Sequence, residues 1–194
     1  MDVKERELVV GGTYRHFKGK IYKILLVAND SETNDDDEPR KLVVYEAQYG
    51  DKKVWIRDYD MFLSKVDKEK YPEVSQNYRF EQLDLDIERN TTTDLINKYK
   101  SLKEELVDFN ENNEVIVGGT YRHFKGKMYK VLLIATDSET NDDDEPRKLV
   151  VYEAQYGDKK VWVRDYDMFL SEVDKEKYPD ISQKYRFQLV LNKK

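Results

Sequence analysis

Residues Val10 to Phe80 recur as Val117 to Phe187, displaced by 107 positions, and this self-similarity limits the architecture of the 194-residue chain more than any other property. Of the 71 paired positions, nine differ (21/128, 24/131, 27/134, 29/136, 56/163, 65/172, 73/180, 74/181 and 77/184), leaving 62 identical. Most changes are mild, such as Ile24 to Val131, and only Lys65 to Glu172 reverses a charge. The chain therefore divides into a first repeat (1–83), an acidic linker (84–114) and a second repeat (115–194). Near-identity between the repeats means that whatever surface one presents, the other presents too. An internal pseudo-dimer, standing in for a two-fold pair of single domains, is expected.

The segment between the repeats differs in kind. Glu81 to Ile116 carries ten acids and four bases, so its net −6 equals the net charge of the whole chain. Leu95, Tyr99, Leu102, Leu106 and Phe109 recur at helical spacing, with Thr92 or Thr93 placed to cap and Asp94 in the first turn. The spacing predicts a helix near 93–109, roughly 24 Å long at about 1.5 Å per residue. Its apolar stripe is expected to dock on the repeats, or to mediate further self-association.

Within each repeat, short runs rich in Val, Ile, Leu and Tyr predict strands at Thr13 to Phe17, Lys20 to Ala28, Lys41 to Tyr49 and Lys53 to Arg57. Asp58 is placed as an N-cap for one or two helical turns carrying Met61, Phe62 and Val66, and Tyr78-Arg79-Phe80 is expected to return as a last strand. Five short strands with one helical turn before the last predict a mainly β protein. The expected fold is two tandem small SH3-like barrels joined by an α-helical linker.

Composition removes several function classes. With no Cys and two His, the chain offers neither thiol chemistry nor the ligands for a multi-histidine metal centre. No cofactor is expected. No apolar run approaches membrane-spanning length, so a soluble, cytoplasmic chain is expected. The net charge of −6 argues against duplex nucleic acid. That charge sits in the linker, however. Residues 10–80 hold 13 bases and 13 acids, and six of the acids lie in Asp30 to Glu38, leaving the rest of the repeat at +6. This acidic loop lacks calcium-loop spacing and is expected to be solvated.

Chemistry concentrates in two motifs. Tyr14-Arg15-His16-Phe17-Lys18-Gly19 and its copy Tyr121 to Gly126 hold both histidines. On a strand Tyr14 and His16 share one face and Arg15 and Phe17 the other. Val54-Trp55-Ile56-Arg57, repeated as Val161 to Arg164, places Trp and Arg on one face, where they can stack on a base and hold a phosphate. The competing structural reading anchors Trp55 in the core and pairs Arg57 with Asp58 or Asp60. Tyr45, Tyr49 and Arg79 are candidates to complete a ring of aromatic and basic groups. No nucleophile–base pair or Gly-rich phosphate loop is present, so a non-enzymatic role is favoured.

The order Gly12-x-Tyr14-Arg15-His16-Phe17-Lys18-Gly19, Ser31-Glu32-Thr33, Val43-Val44-Tyr45, Tyr49-Gly50, Trp55-Ile56-Arg57, Met61-Phe62 and Arg79-Phe80, present twice, resembles the domain-of-unknown-function 1653 family of small bacterial and phage proteins. Phe17 replaces a usual Tyr, Asp58 stands where Pro is usual, Asn34 to Lys41 is longer and more acidic, and the tandem form departs from the usual single copy. The resemblance implies a compact β-rich domain and brings no established activity. It adds weight to Tyr14, Arg15, His16, Lys18, Trp55, Arg57 and Arg79.

Together these features lead to an expected tandem binding module for a small anionic aromatic ligand, with a nucleotide or nucleotide-derived signal the foremost candidate. The expected site residues are Tyr14, Arg15, His16, Lys18, Trp55, Arg57 and Arg79, with Tyr121, Arg122, His123, Lys125, Trp162, Arg164 and Arg186 in the second copy. A protein-interaction adaptor with paired aromatic grooves is the alternative, and a nucleic-acid-binding barrel ranks below it.

Overall fold

The computed structural model describes residues 6–33, 38–83, 114–140 and 145–190. The helix expected near 93–109 and the most acidic part of each loop (34–37 and 141–144) lie outside the described residues.

The first repeat builds β1 (Thr13–His16), β2 (Ile21–Asp30), β3 (Lys41–Ala47), β4 (Val54–Asp58), a short helix α1 (Tyr59–Leu63) and β5 (Phe80–Gln82). The second builds β6 (Thr120–His123), β7 (Met128–Asp137), β8 (Lys148–Ala154), β9 (Val161–Asp165), α2 (Tyr166–Leu170) and β10 (Phe187–Leu189). The turn between β1 and β2 is sharp because Gly19 takes φ +91°, a left-handed conformation open to glycine, and donates its N–H to the His16 carbonyl at 2.7 Å. The expected cap is present, with the Asp58 carboxylate accepting the Met61 N–H at 2.9 Å. The helix is shorter than expected. It ends at Leu63, and Val66 is buried instead in the return toward β5, where its N–H donates to the Asn77 carbonyl.

Within each repeat the strands pair antiparallel in the order β5-β1-β2-β3-β4, and β10-β6-β7-β8-β9 in the copy. The repeats then join. Asn29 and Asp30 of β2 pair in parallel with Trp162 and Val163 of β9, and Trp55 and Ile56 of β4 pair in parallel with Thr136 and Asp137 of β7. These pairings are reciprocal, as in an isologous dimer interface. They close β2, β3, β4, β7, β8 and β9 into one six-stranded barrel to which both repeats contribute equally. Closure leaves none of the six with a free edge. It also extends β2 to Asp30, two residues past the expected end at Ala28: Asn29 and Asp30 gain Trp162 and Val163 of the other repeat as partners while still bonding toward Lys41 and Arg40 of their own.

The barrel gives the middle strands two buried faces. Leu25, Leu26, Ala28, Leu42, Val44 and Ile56 meet their counterparts Leu132, Leu133, Ala135, Leu149, Val151 and Val163 in one shared core. The opposite face, carrying Ile24, Val43 and Tyr45, packs on Tyr14, Phe62 and Phe80 in a core private to the repeat. The register shift between Ile24 and Leu26 lets two successive leucines enter the shared core while Ile24 stays in the private one. Burial on both faces accounts for the near-continuous apolar run Leu42-Val43-Val44-Tyr45. Phe62 and Phe80 stack at 3.9 Å, with Tyr14 and Tyr45 edge-on to them, in the private core. Among the described residues, no helix is long and apolar enough to cross a membrane.

Candidate functional site

The strand alternation that sends Ile56 into the shared core sends Trp55 and Arg57 to the other side, where Tyr45 of β3 lies opposite Trp55. His16 arrives from the end of β1, Lys18 from the turn that follows, and Arg79 from the residue before β5. In the second repeat His123, Lys125, Tyr152, Trp162, Arg164 and Arg186 line one cavity of about 520 Å³.

The histidine is held as a neutral group. The His16 ring lies 4.3 Å from Phe17 and 4.8 Å from Phe80, and its Nδ1 accepts the Lys18 N–H at 3.2 Å. The proton of the neutral ring then resides on Nε2, which is a donor. Burial, followed by the positive fields of Arg57, Arg79 and Lys18, lowers the His16 pKa to about 4. His123 is lowered to about 4 in the same way, by burial and then by Arg186, Arg164 and Lys125. The cations and the imidazole share one cavity wall, with Lys125, Arg164 and Arg186 lining it beside His123.

Arg57 is nearly enclosed, its side chain 11% exposed, and its Nη1 pairs with Glu139 Oε1 at 2.5 Å. Among the described residues, its Nε and the Trp55 Nε1 are buried without a hydrogen-bond partner, as is the Nε of Arg164. Burial lowers the Arg79 pKa, and the nearby Arg57 charge lowers it further. The Arg79 Nε donates to Ser64 Oγ at 3.3 Å, and its guanidinium lies 5.9 Å from the Phe17 ring. Phe17 in turn packs at 4.9 Å on Tyr71, and the Lys18 ammonium lies 6.0 Å from both rings. Phe124, Tyr178, Lys125 and Arg186 repeat this platform. On the other side, Tyr22 and Tyr49 join their hydroxyls at 2.8 Å, which together with burial raises the Tyr22 pKa.

Five of the seven residues expected from each motif therefore meet: His16, Lys18, Trp55, Arg57 and Arg79, with His123, Lys125, Trp162, Arg164 and Arg186 in the copy. Two do not. Tyr14 is 1% exposed and edge-on to Phe62, with its hydroxyl accepting the Val9 N–H at 2.9 Å, so its ring belongs to the core. Tyr121 is buried equivalently and accepts from Ile116. Arg15 turns outward and donates to Gln76 Oε1 at 3.4 Å, while the Gln76 amide donates back to the Arg15 carbonyl. Arg122 and Gln183 do the same. Phe17, expected on the face of Arg15, lies against His16 because it follows the strand end, where strict alternation no longer holds.

Sequence reasoning missed other contributors. Tyr71 and Tyr178 approach from the segment between the helix and the last strand, and no local pattern marks them. More unexpected is the acidic loop, whose described part is not a solvated flap. After Asp30, residues Ser31–Thr33 form a 3-10 turn that crosses to the second repeat. There the Ser31 hydroxyl donates to the Val163 carbonyl at 2.6 Å, and Glu32 pairs with Arg164 at 2.6 Å. Arg57 thus pairs across the repeats and not with Asp58 or Asp60, its expected structural partners. Asp58 faces Arg40 at 3.9 Å, and Arg40 also bridges to Asp30 at 2.9 Å. Arg147 likewise binds Asp165 at 2.8 Å, beside a second cavity of about 420 Å³ at the seam between the repeats.

The site can stack a planar group on aromatic rings and hold negative charge. No curated protein and no solved structure matches the chain significantly. A family model described as "Protein of unknown function (DUF1653)" matches twice, at residues 12–82 and 119–189, and its two matches fall on the two halves of the barrel and on both copies of the site. The chain therefore belongs to the DUF1653 family and carries that family's domain twice.

Proposed function

We propose that each repeat binds a small anionic ligand carrying a planar aromatic group, a nucleotide or nucleotide-derived signal, without catalysing its conversion. The carrying observation is that Arg79 and Lys18 converge with Arg57 on a neutral histidine while having no carboxylate bonded to them among the described residues. Charged donors left without an anion beside an aromatic platform match the chemistry of phosphate next to a base. The buried, unpartnered Trp55 Nε1 and Arg57 Nε add donors for acceptor atoms of the same ligand. An overall charge of −6 suits a small ligand better than a long polyanion.

The strand order β5-β1-β2-β3-β4, with a helical turn before the last strand, supports reading the chain path within each repeat as SH3-like, although the expected pair of separate barrels is replaced by one that closes only between the repeats. Calorimetry with a panel of nucleoside mono-, di- and triphosphates is the test. Two sites per chain are expected, with affinity lost about tenfold or more in Arg79→Ala with Arg186→Ala, because a hydrogen bond to a charged group contributes about 1.5–3 kcal/mol. Absence of binding heat from every nucleotide overturns the reading.

A further inference from the structure

The turn that follows β2 belongs to one repeat in sequence and to the other repeat's cavity in space. Ser31 and Glu32 line the 520 Å³ cavity that holds His123, Trp162, Arg164 and Arg186. Their position is fixed by the strand pairing between repeats, since Asp30 pairs with Val163, the residue before Arg164. Three bonds lock the turn there. The Ser31 hydroxyl donates to the Val163 carbonyl at 2.6 Å, Arg164 Nη2 donates to the Ser31 carbonyl at 3.5 Å, and Arg164 Nη1 pairs with Glu32 Oε1 at 2.6 Å. The reciprocal turn keeps the ion pair, Glu139 on Arg57 at 2.5 Å, but bonds to the Ile56 carbonyl through the Ser138 backbone N–H at 3.0 Å and not through the hydroxyl.

We propose that Glu32 and Glu139 are specificity residues, each acting in the other repeat's site, and that the ligand presents hydrogen-bond donors to them beside its anionic group. The proposal rests on the binding reading above and adds a selection rule to it. A site built only to hold phosphate gains nothing from a carboxylate on its wall, which offsets one of its cations. A carboxylate accepts and never donates when ionised, and it offers about four lone-pair sites on two oxygens. Arg164 engages one oxygen, and the Glu32 side chain is 43% exposed, so acceptor capacity remains on the cavity side.

The cavity thus has two chemical poles. Lys125, Arg186 and the imidazole Nε2–H donate and Glu32 accepts, with Trp162 and Tyr152 also in the wall. A molecule matched to both carries phosphate at one end and paired N–H groups of a base, or a sugar diol, at the other. A simple anion satisfies the first pole and is repelled by the second. Because each carboxylate comes from the other repeat, selectivity requires the assembled barrel, whereas the aromatic platform and the cations belong to a single repeat.

The test uses the full chain and Glu32→Gln with Glu139→Gln, which keeps the shape of both turns. Titrations employ guanosine, 2′-deoxyguanosine, inosine and adenosine 5′-diphosphates, with pyrophosphate as the anion-only probe. Glutamine should weaken at least one nucleotide about tenfold or more, the range of a charge-assisted hydrogen bond, and leave pyrophosphate as tight or tighter. A loss shared by guanosine and inosine but absent for 2′-deoxyguanosine assigns the donors to the sugar. A loss shared by guanosine and 2′-deoxyguanosine but absent for inosine and adenosine assigns them to the base. Equal tightening of all probes would make the carboxylate a competing anion, and equal weakening would make it a prop for arginine; either overturns the proposal while leaving the binding reading intact. Absence of binding by every probe to the unaltered chain overturns that reading itself. Pairing also follows: Glu32→Gln with Arg164→Ala should impair one site, and Glu32→Gln with Arg57→Ala should impair both. The reverse pattern overturns the assignment across repeats.

Discussion

Protonating the two histidines should destabilise the protein, and the size of the effect follows from the site. Each imidazole has its pKa lowered from 6.5 to about 4 by burial and by three surrounding cations. A histidine depressed in the folded state binds its proton more readily in the unfolded chain. Its contribution is therefore complete above the unfolded pKa and is lost as pH falls through the window from 6.5 toward about 4. A shift of 1 unit corresponds to about 1.36 kcal/mol, so lowering the pH to about 5 crosses about 1.5 units and removes at most about 2 kcal/mol per ring. Both rings are only half-buried, and solvent screening reduces this to about 1 kcal/mol each, or about 2 kcal/mol per chain. Urea titrations at about pH 7, 6 and 5 measure the loss above the range where most carboxylates protonate. The control is His16→Asn with His123→Asn, in which the amide oxygen can accept the Lys18 N–H in place of Nδ1 and no proton is taken up. The variant should keep its pH 7 stability at about pH 5. Parallel losses in variant and parent, or a histidine ring titrating above about pH 6 by NMR, would refute the argument that burial and three cations hold the ring neutral.

Other consequences can be checked separately. Leu26→Ala and Leu133→Ala, both in the shared core, should each cost about 2–5 kcal/mol and shift a single cooperative urea transition, since neither repeat has that core to itself; two transitions would contradict a shared barrel. Gly12→Ala and Gly119→Ala place a Cβ 2.9 Å from the carbonyl of Val9 or Ile116 and beside the Tyr14 or Tyr121 ring, so each should lower stability by about 1–3 kcal/mol in the same assay. Asp58→Ala removes the helix cap and the carboxylate facing Arg40, and should cost about 1 kcal/mol, with the larger part retained in Asp58→Asn. Trp55→Phe with Trp162→Phe should leave the fold intact by circular dichroism and weaken nucleotide stacking; unchanged affinity would remove tryptophan from the site.

Much of the site was legible because strand alternation is a local rule. Trp55 and Arg57 could be placed on one face from spacing alone, and they are there; that Tyr45 lies opposite Trp55 came from the strand pairing. The same rule put Tyr14 beside His16 but could not say how deep each sits. Tyr14 lies over Phe62 in the private core, and His16 sits at the strand end, where the wall opens. Arg15 carried weight from its motif, yet its register turns it outward to Gln76, 61 residues away. The shared core did have a signal. Leu25-Leu26 and Leu42-Val43-Val44 are apolar on both alternating faces, which one small barrel with a solvated outside does not require. Glu32 had none, since nothing local distinguishes it from its acidic neighbours.

The sequence by itself determined that the chain is one unit written twice, that the unit is mostly strand with an Asp-capped helical turn, and that its aromatic and basic groups recur in step. Those properties depend on contacts between residues near in sequence, or on the repeat itself. Only the tertiary structure decided that the two units share a barrel and that each lends a carboxylate to the other's site. Both depend on pairing strands far apart in sequence, β2 with β9 and β4 with β7, and the backbone hydrogen bonds that make such pairs are the same for any side chains.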